Sequence, residues 1–147
     1  MKTVQRILDE KGHDIYSVTP TTLVFDALKL MRDKDIGAVL VLKNGKLAGI
    51  FTERDYARKV ILQGKSSLKT LISEIMTPHV LYATPDQTTE QCLALMAAKR
   101  LRHLPVLDNG ELVGIISTGD LVRSIMNEQK DTIKQLEQYI LQYTSIT

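Results

Sequence analysis

Two short stretches of this chain set a glycine, a hydroxyl and a carboxylate at the same spacing: Gly49-Ile50-Phe51-Thr52-Glu53-Arg54-Asp55 and Gly114-Ile115-Ile116-Ser117-Thr118-Gly119-Asp120. Each falls where a predicted strand gives way to a predicted helix. A helix start offers unpaired N–H groups and the positive end of the dipole, which together suit an anion. Thr52 or Ser117 brings a hydroxyl to the same place, and the glycine lets a partner approach the backbone closely. The aspartate only accepts hydrogen bonds, so it suits a ribose diol better than a phosphate. Hydroxyl and amides for phosphate, with a carboxylate for sugar, describe a nucleotide. The same residues also spell a capping box, in which they satisfy the helix's own backbone donors. One copy alone favours the cap, and duplication would copy a cap as readily as a ligand site.

The two motifs belong to a longer repeat. Residues 19–58 align without a gap onto 84–123 at a constant offset of 65, with fifteen of forty positions identical. Thr19-Pro20 returns as Thr84-Pro85, Leu28-x-Leu30-Met31 as Leu93-x-Leu95-Met96, and Asn44-Gly45 as Asn109-Gly110. Each copy is then one unit that must bury its apolar face against its twin, and a cleft between twins is the expected place for function.

The elements that position the motifs follow a common grammar. In the first copy Ile15–Thr19 reads as a strand stopped by Pro20. Thr21 or Thr22 reads as the cap of a helix with Val24, Ala27, Leu28 and Met31 on one face. Ala38–Leu42 is a continuous apolar strand, Asn44-Gly45 a type I′ hairpin signal, Leu47–Phe51 its return strand, and Thr52 the start of a helix to about Leu62. The second copy repeats this with a strand at Leu81–Thr84, a helix near 87–100, strands at Leu104–Leu107 and Leu112–Ile116, and a helix from about Thr118. A short apolar helix signal leads each copy, Val4-x-x-Ile7-Leu8 and Ile72-x-x-Ile75-Met76. The expected division is residues 1–64 for the first repeat, 65–126 for the second, and a helical tail at 127–147. In the tail Met126, Ile133 and Ile140 alternate with Gln129, Leu136 and Tyr143 at heptad spacing. That seam reads equally as a helix packed on its own domain and as a contact between copies.

Composition narrows the function classes. A net charge of +2 gives no basis for nucleic acid or an anionic membrane surface. No apolar run approaches a membrane span, and charged residues near the start replace an apolar signal core, so a cytoplasmic protein is expected. Cys92, the single cysteine, falls on an apolar helix face and reads as a small core residue. His13, His79 and His103 have no partner at metal-ligand spacing. No nucleophile elbow or Walker loop is present.

The approach to the second strand of each copy, Asp35-Ile36-Gly37-Ala38 and Arg100-Leu101-Arg102-His103-Leu104-Pro105, completes a recognisable pattern. Over about residues 4–125 the chain resembles a tandem pair of cystathionine-β-synthase (CBS) domains, also called a Bateman module. The resemblance implies an α/β (α+β) fold of two pseudo-symmetric β-α-β-β-α repeats packed sheet to sheet, plus a C-terminal helix. It implies two quasi-equivalent clefts for adenosine-containing ligands: AMP, ADP, ATP or NAD(H). Carried over by position, one cleft would use Asp120 for ribose and Ser117 and Thr118 near phosphate. Thr19, Ile36, Gly37 and Ala38 would hold adenine there, with Arg102 and His103 reaching phosphate. The other would use Asp55 and Thr52, with Thr84, Leu101, Arg102, His103 and Leu104 near the base and Arg54 toward phosphate. The small Gly37 and Ala38, with cations nearby, favour the Asp120 cleft as the tighter one. The resemblance implies a regulatory homodimer that reports to an unidentified protein; no catalytic cofactor is expected, and the charge, hydropathy and histidine spacing above give no expectation of a metal site, a nucleic acid or a membrane partner. The competing readings are a structural dimerisation module with empty clefts and, less favoured without a catalytic domain, an enzyme.

Overall fold

The computed structural model describes residues 2–146; the side chains of residues 143–146, including Tyr143 of the heptad seam, lie outside what is described. The element order is α1 (Val4–Lys11), β1 (Ser17–Val18), α2 (Val24–Lys34), β2 (Ala38–Lys43), β3 (Lys46–Thr52) and α3 (Glu53–Asp55), which runs on as a π-helical segment, Tyr56–Ile61. Then come α4 (Ile72–Ile75), α5 (Thr89–Lys99), β4 (His103–Asp108), β5 (Glu111–Ser117) and α6 (Thr118–Ile146). Two repeats of mixed helix and strand, each with an antiparallel hairpin, pack sheet to sheet, as expected.

Each hairpin turns on Asn-Gly, with φ +53° and +77° at Asn44-Gly45 and +50° and +83° at Asn109-Gly110. These are the positive angles a type I′ turn requires. The helix before each hairpin ends on a left-handed residue, Asp35 (φ +53°) and Arg100 (φ +55°), which swings the chain back toward the sheet. Between the sheets Ala38, Leu40 and Ile50 are buried against Ile15, Leu47, Val80, Leu112 and Ile115.

Three local expectations change. The first strand shrinks to Ser17–Val18, parallel to β2. Its counterpart in the second repeat is only a bridge between Ala83 and Val106. The Leu40 N–H donates to the Tyr16 carbonyl at 3.3 Å, but the repeat puts Pro105 at the position of Leu40, and proline has no N–H to extend that ladder. The α2 helix begins at Val24 after Leu23 and has no side-chain cap. Thr22 Oγ1 instead accepts from the Thr19 N–H at 3.0 Å, closing a turn before the helix.

The leading helices are exchanged. Val4, Ile7 and Leu8 of α1 are buried with Ala83, Cys92, Met96, Leu104, Val106, Ile116 and Leu121 of the second repeat. Ile72 and Ile75 of α4 are buried with Val24, Ala27, Met31, Val39, Val41, Phe51 and Val60 of the first. Gly49 and Gly114 make this possible: a Cβ at Gly49 would lie 2.7 Å from Met76 Sδ, and one at Gly114 would lie 2.7 Å from Leu8 Cδ2. The close approach these glycines permit is therefore that of the exchanged helix.

Candidate functional site: two clefts across the repeat interface

Both motif aspartates are held at the strand-to-helix junction by reciprocal caps. Asp120 Oδ2 accepts from the Ser117 N–H at 2.8 Å, and Ser117 Oγ accepts from the Asp120 N–H at 3.1 Å. Asp55 Oδ2 and Thr52 Oγ1 repeat the exchange at 3.0 and 3.1 Å. The caps fix each carboxylate at the mouth of a cleft that the other repeat completes.

The Asp120 cleft, of about 330 Å³, is lined by Ser117, Asp120, Ile115, Ile116 and Arg123 of the second repeat. Asp35, Ile36, Gly37 and Ala38 face them from the first, with Lys11, Gly12, Asp14, Tyr16 and His103 around the rim. Asp120 is nearly enclosed, its side chain 10% exposed, and two cations hold it: Lys11 Nζ lies 2.7 Å from Oδ2 and Arg123 Nη2 lies 2.7 Å from Oδ1. Lys11 also donates to the Ile115 carbonyl at 2.8 Å. Burial works to raise the Asp120 pKa, but the hydrogen bonds from Lys11 and Ser117 and the Lys11 charge outweigh it and leave the carboxyl below the usual range.

The Asp55 cleft, of about 390 Å³, is lined by Thr52, Glu53, Arg54, Asp55 and Ile50, with Thr77, His79, Val80 and Leu81 from the connection. Lys99, Arg100, Leu101, Arg102 and His103 close it from the second repeat, and Gly37 lies on its edge. Lys59 Nζ sits 3.2 Å from Asp55 Oδ1. Arg54 reaches across the interface to donate to the Arg100 carbonyl at 2.9 Å.

Of the residues expected in the Asp120 cleft, Ser117, Asp120, Ile36, Gly37, Ala38 and His103 line it. Thr19 is instead engaged with Thr21 and Thr22, and Thr118 Oγ1 turns toward Met96 Sδ at 3.4 Å. Arg102 lines the Asp55 cleft, with Asp55, Thr52, Arg54, Leu101 and His103. Thr84 is held by Asp86 and Gln87, and Leu104 is fully buried in the second core. Lys11, Arg123, Lys59 and His79 were missed by the sequence reading. For Arg123 and Lys59 a signal existed, since each follows its aspartate by three or four residues on a helix. Lys11 reaches its place only through the helix exchange.

Gly37 and His103 line both clefts, so they sit where the two sites meet. A Cβ on Gly37 would be 3.6 Å from His103 Cε1 and 3.6 Å from Glu53 Oε2. Desolvation lowers the His103 pKa, and nearby Lys11 and Arg102 add to that against the opposing pull of Asp120. Burial therefore favours the neutral ring.

A protein-family model for the CBS domain matches the chain twice, at residues 8–62 and 72–127. The solved structure of a signal-transduction protein with CBS domains from Burkholderia ambifaria is 54% identical with a TM-score of 0.85, covering 87% of this chain and 96% of that one. The mitochondrial CBS domain-containing protein CBSX3 of Arabidopsis thaliana is 36% identical, spanning 94% of this chain and 71% of its own length. The CBS domain pair of protein MJ0100, solved with 5′-methylthioadenosine and S-adenosyl-L-methionine, superposes with a TM-score of 0.77 at 26% identity over 87% of this chain and 98% of that one. No helix among the described residues is long and apolar enough to cross a membrane. With two family matches over most of its length, and the exchanged-helix repeats to accommodate them, the chain belongs to the CBS domain family and carries two such domains in tandem.

Proposed function

We propose that this protein is a non-catalytic sensor that holds adenosine-containing ligands in its two clefts and passes their occupancy to a partner protein. The observation that carries the reading is the pair of capped carboxylates, each opening on a cleft completed by the opposite repeat. The adenosine ligands of the MJ0100 domain pair support it. A carboxylate offers about four acceptor positions. At Asp120, Lys11 and the Ser117 N–H take two on Oδ2, while Arg123 takes one on Oδ1. Arg123, with its side chain 70% exposed, is the cation free to swing from Asp120 to a phosphate and release Oδ1 to a ribose hydroxyl.

The two clefts differ in charge. In the Asp120 cleft the acids Asp14, Asp35 and Asp120 face the bases Lys11 and Arg123. In the Asp55 cleft Arg54, Lys99, Arg100 and Arg102 face Glu53 and Asp55. Longer phosphate chains, as in ADP, ATP or a dinucleotide such as NAD(H), therefore belong in the Asp55 cleft. The Asp120 cleft suits AMP or an adenosine with a neutral or cationic substituent. The sequence set Arg102 beside both clefts and favoured the Asp120 cleft; with Arg102 along the Asp55 cleft, the longer phosphate chains move there.

The complete caps also support a second reading, a structural dimerisation module whose clefts stay empty. A thermal-shift panel of AMP, ADP, ATP, NAD, NADH and S-adenosylmethionine separates the two. A ligand at a hundred times its dissociation constant stabilises the fold by about 2.7 kcal/mol. A shift with at least one compound is expected; none with any of them would leave only the structural reading.

A further inference from the structure

A third concavity, of about 260 Å³, lies along α5 beside the Asp55 cleft. Arg54, Arg100, Leu101 and Arg102 line both spaces, so three arginines stand on their common border. Past that border the lining turns apolar, with Leu93, the buried Met96 and the exposed Ala97. Sites for a whole drug-sized ligand run to about 300–1,000 Å³, so this groove holds one ring of a molecule whose remainder lies elsewhere. None of the three arginines forms an ion pair among the described residues. Arg54 Nη1 donates to the Arg100 carbonyl at 2.9 Å, which fixes its guanidinium at the border.

The same place beside the Asp120 cleft is built differently. At the offset of 65, Leu28 and Met31 stand for Leu93 and Met96, so the apolar floor recurs. Asp35, however, stands for Arg100, Gly37 for Arg102, Gly119 for Arg54, and the bulky Arg32 for Ala97. Cationic border and open floor therefore occur together at the Asp55 cleft alone. Guanidinium groups bind phosphate oxygens in pairs, so the border suits a diphosphate leaving the cleft. Beyond it an uncharged ring gains by burying apolar surface, whereas a cationic ring would meet three like charges and lose its hydration. Resting on the adenosine-binding function proposed above for the Asp55 cleft, we infer that the groove is a second subsite for the uncharged ring of a dinucleotide. The adenosine half occupies the cleft, the diphosphate crosses the three arginines, and the nicotinamide of NADH packs on Leu93 and Met96. NAD, whose nicotinamide is positively charged, fits the same path less well. The protein thereby distinguishes reduced from oxidised dinucleotide.

The test is calorimetry on the full chain with ADP, ADP-ribose, NAD and NADH, alongside the fluorescence of the NADH ring. NADH is expected to bind about tenfold tighter than each of the other three, the scale of burying one ring face. Its emission should shift to the blue as the ring leaves water. Ala97→Gln fills the groove from an exposed helix position. That variant should melt as the wild type does, bring NADH down to the affinity of ADP and abolish the blue shift. NADH equal to ADP, NADH equal to NAD, or a preference for NADH that survives Ala97→Gln would each overturn the subsite and leave adenosine binding standing. Binding of none of the four compounds would overturn both.

Discussion

The Asp55 and Asp120 clefts start from the same seven-residue motif and end with different electrostatics. The chain keeps an arginine at both equivalent positions, Arg58 and Arg123, yet only Arg123 meets its aspartate. In the first repeat the helix widens into a π segment at Tyr56–Ile61, which shifts the facing position by one, and Lys59 takes the role. On the opposite wall, Gly37 and Ala38 stand where the second repeat has Arg102 and His103. Duplication thus preserved the carboxylate and its cap while the surrounding cations diverged. Two sites related by sequence symmetry need not read the same ligand.

The largest effect expected from breaking this comparison is at Arg102. Arg102→Glu replaces a cation lining the Asp55 cleft with an anion. By calorimetry it should cost ADP or ATP about a hundredfold in affinity while leaving the Asp120 cleft within a few-fold. Equal losses in both clefts would show that they do not divide ligands by charge. Next comes stability. Asp120→Ala leaves Lys11 and Arg123 without their carboxylate and removes the cap, an expected loss of about 2 kcal/mol by denaturant titration. Asp55→Ala should cost about half that, because the Lys59 pair is longer and more exposed.

Gly37→Ala tests the shared wall. Its Cβ meets His103 and Glu53 at ordinary contact distance, so the fold should lose less than about 1 kcal/mol, the scale of a surface substitution. Because the residue lines both clefts, ligand affinity in each should fall together, by about tenfold for a misfit of one methyl group. A loss confined to one cleft would separate them again. The smallest effect is in pH. His103 is held below the ordinary histidine value near 6.5, so the folded state prefers the neutral ring. That contribution is intact above the ordinary value and is lost as pH falls through it toward the lower folded value. Melting temperatures of the wild type should therefore decline below that point more steeply than those of His103→Gln. Parallel curves would remove His103 from the account.

Much of this was legible from sequence because it depends on local rules. The Asn-Gly hairpins, the capped Thr52 and Ser117 junctions and the buried Cys92 follow from backbone preference and apolar spacing. What escaped depends on contacts between distant segments. Nothing in Val4–Lys11 says that its apolar face packs on the second repeat, so Lys11 could not be assigned to Asp120. Arg102 was set in both clefts by sequence, and only the packing of the two repeats places it along the Asp55 cleft. The truncated first strand of the second repeat was readable in principle, since Pro105 stands where Leu40 donates.

The exchange of leading helices has a consequence for how the chain acquires its structure. The first core needs Ile72 and Ile75, and the second needs Val4, Ile7 and Leu8, so neither half can complete its core from its own stretch of sequence. The segment made first on the ribosome must wait for partners as late as Leu121, and contacts over such separations slow folding. A chain cut in the Gln63–Ser67 loop should yield two fragments that are each poorly ordered alone and that assemble when mixed.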